Sequence, residues 1–261
     1  MEGGYGEDTI YGSLQGDYLA GSEGADSITG NLGNESIAGG DGNDLIVGND
    51  GNDRVFGESG QDYVLGLDGA DWIAGGSGID TLNGGSGNDI LYGMADTDHV
   101  AGEDGDDMIF GGDALDGNDG WSTISGDDVL NGGGGADTIW GGDGFDHIYG
   151  GAGNDHLYGG LGKDYLYGQD GADTFHIVSY AESYSANEFQ GDSLDVIWGF
   201  ESGVDKIDLT RLDWGLHGFV DWYTDGTHVY VGVRHTRPWG PLTVLVRLAE
   251  ITSIQPGDVL I

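Results

Sequence analysis

Residues 39–56 read GGDGNDLIVGNDGNDRVF, two nine-residue units placed back to back. Each unit has Gly at its first place (Gly39, Gly48), Asp at its sixth (Asp44, Asp53) and an apolar residue at its eighth (Ile46, Val55). The same frame runs far outward from this stretch. Position-one glycines recur at 3, 12, 21, 30, 39, 48, 57, 66, 75, 84, 93, 102 and 111, then at 132, 141, 150, 159 and 168. That is 13 + 5 = 18 units, ending at His176. The eighth position is apolar throughout, from Ile10 to Phe175, and the sixth is Asp in 17 units and Glu35 in one.

The unit dictates its own local structure. Positions one to six are glycine-rich and polar, which means a turn with positive φ or close backbone approach. Positions seven to nine are too few for a helix but enough for a short strand, whose middle side chain points inward while its neighbours point out. Turn and strand in alternation make a flattened coil with two units per circuit. Stacked coils form two parallel sheets around a thin apolar ladder. Eighteen units give nine coils, roughly 43 Å long at about 4.8 Å per strand. The expected fold is therefore all-β, a parallel β-roll solenoid.

One core residue in nine is too little to order so much glycine, whose backbone entropy is the costliest of any residue. The sixth-position carboxylates aggravate the problem, since stacked turns bring them into files of like charge. Lys+Arg is 7 against Asp+Glu 47, a net charge of −40, so nucleic acid and anionic lipid are not expected partners. Cations are. There is no cysteine, and carboxylate and carbonyl oxygens are the ligands on offer, a set that selects Ca²⁺. The candidate ligands are Asp8, Asp17, Asp26, Glu35, Asp44, Asp53, Asp62, Asp71, Asp80, Asp89, Asp98, Asp107, Asp128, Asp137, Asp146, Asp155, Asp164 and Asp173. Each site is shared between one unit and the next but one, which allows at most about 16 ions. Asp44 and Asp53 fall in files on opposite edges, and Asp44 is expected to pair with Asp62 and with Glu35.

GGDGNDLIV and its relatives resemble the GGxGxDxUx nonapeptide of the RTX (repeats-in-toxin) proteins over residues 3–176. The resemblance implies a calcium-binding β-roll exported by a type I secretion apparatus, unfolded at low calcium and folded outside the cell. Departures from the pattern mark particular units. Position two is often not Gly (Ser13, Asn49, Glu58, Leu67, Met94, Gln169), which is harmless if only its carbonyl matters. Position four is not Gly at Gln15 and Asp96, where a Cβ strains the turn. Glu35 is one methylene too long for its file. Twelve extra residues, ALDGNDGWSTIS at 114–125, interrupt the count as a loop leaving one turn. The sixth position there is Asp128 counted back from Leu130, or Asp116 counted on from Gly111. The loop reads as a surface insertion or a binding finger around Trp121.

Beyond residue 176 the composition changes. Only 9 of the 56 glycines lie there, together with all 3 prolines, and the charge is −7 from 12 acids and five bases. Segments 196–200, 205–209, 219–223, 228–233 and 242–248 read as strands, with Asp225-Gly226 a hairpin turn. Residues 177–261 are thus expected to form a β-rich cap on the solenoid. Asp195 to Leu209 resembles the DxIxDFxxGxDxIDL segment that follows RTX repeats in serralysin-type exoproteins, with Gly199 in place of its second Asp. The ending Gly257-Asp-Val-Leu-Ile261 is similar to type I secretion signals. The opening MEGGYGEDTI shows no Sec-type signal peptide, and the first unit starts at Gly3 without a cap, as in a piece of a longer exoprotein. No apolar run is long enough to span a bilayer, so membrane insertion is not expected.

No HExxH, GxSxG or P-loop pattern occurs, and no catalytic residue is assigned. His147 and His156 fall on opposite sheets; His156 and His176 fall on adjacent strands but at different positions. No histidine cluster is expected. Position nine of the even-numbered units carries Phe56, Tyr92, Phe110, Trp140 and Tyr158, an outward aromatic ladder. It is either covered by the tail or a face for extracellular polysaccharide or another partner. The expected function is non-catalytic: a secreted, extracellular Ca²⁺ module that stabilises a larger exported protein. The alternative is a polysaccharide-binding or surface-adhesion module.

Overall fold

The computed structural model describes residues 1–112, 126–177, 195–209, 218–224, 228–235, 242–249 and 253–260. Successive strands go to alternate sheets. One sheet has 12 strands and runs from Glu2–Tyr5 through every second strand to Val259–Leu260. The other has 13 and runs from Thr9–Tyr11 to the strands of the tail. Within the repeats every pairing is parallel and joins residues one circuit apart, as in Leu45↔Tyr63 and Ile46↔Val64. The register is unshifted on either side of residues 113–125, since Ile109 pairs Ile139 and Val100 pairs Leu130. The insertion and Trp121 lie outside the described residues.

The core is the expected ladder. Every eighth-position side chain from Ile10 to Phe175 is buried, and the two sheets meet along this single file. Most strands of the repeats are longer than three residues. Leu45–Asp50 is typical: it continues through position-one Gly48 to Asn49 and Asp50, so only positions four to six form the turn. Position two is strand, but at positive φ. Gly40 has φ of 116° and Gly76 of 120°, while Asn49, Glu58, Leu67, Met94, Glu103 and Gln169 lie between 73° and 86°. A non-glycine residue at such a φ is strained, so Asn49, Glu58, Leu67, Met94 and Gln169 carry a backbone cost, while Ser13 does not have a positive φ. Asp96 carries the expected strain at position four, with φ of 76°; Gln15 is not among the residues of positive φ.

The solenoid does not stop at His176. Asp195–Trp198 pairs in parallel with the strand of Tyr165–Asp170, and Lys206–Asp208 pairs with Thr174–His176. These add one further circuit to the nine. The tail then closes the end. Leu242–Ala249 pairs in parallel with Asp195–Trp198, and it carries His228–His235 and Gly218–Thr224 as an antiparallel meander. The turn at 225–227 lies outside the described residues. Val259–Leu260 pairs with Ile207–Asp208, so the last residues belong to the fold. They are held by Asp258, which accepts hydrogen bonds from Ser202 Oγ (2.7 Å), Gly203 N–H (3.0 Å) and Gln255 N–H (2.7 Å). No described helix is long and apolar enough to cross a membrane.

Candidate metal centre

The sixth-position carboxylates form two continuous files, one at each edge of the roll. In each, the backbone N–H of one Asp donates to Oδ1 of the Asp one circuit on. The first file links Asp8, Asp26, Asp44, Asp62, Asp80, Asp98, Asp128, Asp146, Asp164 and Asp195 at 2.7–3.1 Å. The second links Glu35, Asp53, Asp71, Asp89, Asp107, Asp137, Asp155, Asp173 and Asp205 at 2.7–3.1 Å. Asp128, not Asp116, takes the place beside the insertion. Asp44 has Asp26 and Asp62 as its neighbours. Glu35 lies in the opposite file, so the expected pairing of Asp44 with Glu35 is wrong: two units make one circuit, and residues nine apart face opposite edges.

From Asp26 and Asp53 onward, Oδ1 accepts the N–H of the preceding coil, while most Oδ2 atoms have no donor. In Asp8, Asp26, Asp44, Asp53, Asp62 and most later members, Oδ2 is buried without a hydrogen-bond partner. Its surroundings are more oxygen. A Cβ on Gly57 would stand 2.4 Å from Asp62 Oδ2 and 2.5 Å from the Gly75 carbonyl of the next coil. The absence of a side chain at position one is what lets these oxygens gather, which explains its invariance. Removal from water pushes the carboxyls up: Asp62 and Asp89 to about 6, Asp71 and Asp80 to about 7, Asp98 to about 8 and Asp146 to about 9.

A buried carboxylate oxygen without a donor calls for a cation, and this donor set of carboxylate and carbonyl oxygens fits Ca²⁺. Among the described residues no three His, Asp or Glu side chains converge on one point. An ion here would rest on one or two carboxylates and the turn carbonyls. When bound, it supplies positive charge where the chain has only oxygen. The protein's part is to hold Oδ2 by tying Oδ1 to the preceding coil.

The second file is irregular at its start. Both Glu35 oxygens are buried without a well-formed hydrogen bond, and burial, with Asp53 beside it, pushes this carboxyl to about 7. Asp17, one circuit before, instead takes the N–H of Ser13 at 2.5 Å, which lowers its pKa. At the other end the files include two residues that the repeat frame omits. Asp195-Val-Ile-Trp and Asp205-Lys-Ile-Asp keep the order of positions six to nine after the glycines have gone. Asp205 closes its file, since Oδ1 takes Asp173 N–H and Oδ2 takes Glu201 N–H at 2.7 Å. Asp195 is half-buried, and desolvation, with Asp164 beside it, holds its carboxyl well above the usual range.

On the outer face of the 12-stranded sheet the aromatic ladder is longer than the ninth positions alone. Trp72, at position seven, fills the gap above Ala74 and lies 5.1 Å from Phe56 and 5.3 Å from Tyr92. Tyr92, Phe110, Trp140, Tyr158 and His176 follow at 4.0–5.1 Å, with planes within 13° of parallel. Arg54 sits over Phe56 and Trp72 at 5.0 and 4.8 Å. From Tyr92 onward the rings cover one another's faces and turn edges outward. His176 is also buried, and its Nε2 meets His156 Nδ1 at 2.8 Å while its Nδ1 meets Asp208 Oδ2 at 2.9 Å. The expectation that different strand positions keep these histidines apart is wrong, because outward side chains two places apart on neighbouring strands lean together along the diagonal.

A parallel solenoid with an inward carboxylate and a carbonyl-lined turn at every half-circuit is a calcium-binding β-roll. A model of the RTX calcium-binding nonapeptide repeat (4 copies), the hemolysin-type repeat, matches residues 2–34, 29–64, 65–100, 92–121, 125–148 and 140–175. These segments cover more than half of the chain, and the chain belongs to that family. No curated protein matches it significantly. Among solved structures it is similar to the AlgE6R3 subunit from the Azotobacter vinelandii mannuronan C5-epimerase, solved in solution. Identity is 21% over 67% of this chain and 78% of that one, with a TM-score of 0.21.

Proposed function

We propose that this chain is a non-catalytic calcium-folding module of a secreted protein. It is disordered without Ca²⁺, passes a type I secretion apparatus in that state, and folds in calcium-rich surroundings to stabilise the larger extracellular protein it serves. The ligands are the sixth-position residues from Asp8 to Asp173, in two files. The observation that carries this reading is the row of buried Oδ2 atoms without donors. A fold that leaves so many carboxylate oxygens unmatched is unfavourable until a cation binds, and binding to the folded state alone stabilises it by mass action. The polysaccharide reading has less support, because stacked rings offer edges where sugar stacking needs faces. Circular dichroism during calcium titration from a chelated start tests the proposal. At neutral pH a cooperative gain of β signal is expected; a chain already β-structured in chelator at that pH would sink it.

A further inference from the structure

We propose that His156 and His176 form a binding site for one late first-row divalent ion of the Cu²⁺, Ni²⁺ or Zn²⁺ class, separate from the calcium files. Both side chains leave the outer face of one sheet. His156 pairs in register with Thr174, and Tyr158 with His176, so the two imidazoles meet along a diagonal with Nδ1 and Nε2 2.8 Å apart. The ring of His176 is held on two sides. Tyr158 stacks on it at 4.0 Å with planes 4° apart, and Asp208 Oδ2 lies 2.9 Å from its Nδ1.

A carboxylate on the far nitrogen is the arrangement that orients metal-ligating histidines and raises their basicity. With the proton on Nδ1, beside Asp208 Oδ2, the Nε2 lone pair of His176 faces His156. When His156 carries its own proton on Nε2, a second lone pair faces the first. Two bonds of about 2.0–2.1 Å at a right angle bring such nitrogens to about 2.9 Å, the square geometry of Cu²⁺ and Ni²⁺. The observed separation is already close to that value. Among the described residues no third His, Asp or Glu completes the site. His156 is exposed, so water supplies the remaining positions. Imidazole nitrogen does not attract Ca²⁺, whose ligands are oxygens, so calcium-saturated protein keeps this pair available.

The test adds one equivalent of Cu²⁺ to the full chain in excess calcium and records electron paramagnetic resonance and titration calorimetry. One copper with hyperfine coupling to two nitrogens is expected. His156→Ala, a change at an exposed residue, should abolish that signal while the calcium-induced circular dichroism stays unchanged. Asp208→Asn should keep two-nitrogen coupling but weaken affinity by about 10–100-fold. Absence of nitrogen-bound copper in the unaltered chain would overturn the proposal, leaving the pair a hydrogen bond only. A two-nitrogen signal that survives His156→Ala would also overturn it, by placing copper elsewhere.

Discussion

At the scale of the residue, the nonapeptide is governed by two close approaches. Position one is Gly because Asp Oδ2 and a neighbouring carbonyl occupy the space of a Cβ, and position two favours Gly because its φ is positive. Leu67 is the plainest violation, with φ of 86°, and its register neighbour Asn49 carries a residue that tolerates the left-handed region. Leu67→Asn should therefore stabilise the calcium-loaded roll by about 0.5–1 kcal/mol, read from denaturant unfolding. The buried carboxylates make the metal-free fold pH-sensitive in a defined direction. Their folded pKa values are raised from 3.8 to about 6 for Asp62 and about 9 for Asp146, so the folded state binds more protons than the unfolded one. The resulting stabilisation is complete below about pH 4 and is lost as pH rises through about 6 to 9. In chelator, β signal by circular dichroism should be greatest near pH 4 and least near pH 9. The opposite trend would contradict the assignment of burial as the cause.

At the scale of the element, the strands and their order are legible from spacing, because a period of nine with one apolar side chain admits little else. What spacing misses is what happens between neighbouring coils. Trp72 joins the ring ladder from position seven only because Ala74 leaves room, and Asp195 and Asp205 join the files after the glycine pattern has ended. Glu35 shows how one methylene disturbs a file that repeats without fault elsewhere. Glu35→Asp should restore the Oδ1 link to Asp17 and lower the calcium needed to order the first coils. Hydrogen exchange of amides 9–32 at limiting calcium checks this: protection should rise in the variant there, with no change around 129–176.

At the scale of the whole molecule, the solenoid has one closed end and a long apolar ladder of single-residue width. On the proposed reading, like charge drives the chelated chain apart at neutral pH, and ion binding offsets it. Small-angle scattering should give a radius of gyration of about 56 Å in chelator and a value near the roughly 18 Å of a compact chain when calcium is added. The sequence by itself determined the sheets, the buried file and the files of carboxylates, because a strict repeat applies one local rule many times. Tertiary structure alone decided which oxygen of each Asp is matched and which is left for a cation, since that depends on the neighbouring coil. It also decided how far the roll runs past His176. Most of all it decided that His156 and His176 meet, because the diagonal between adjacent strands has no counterpart along the chain.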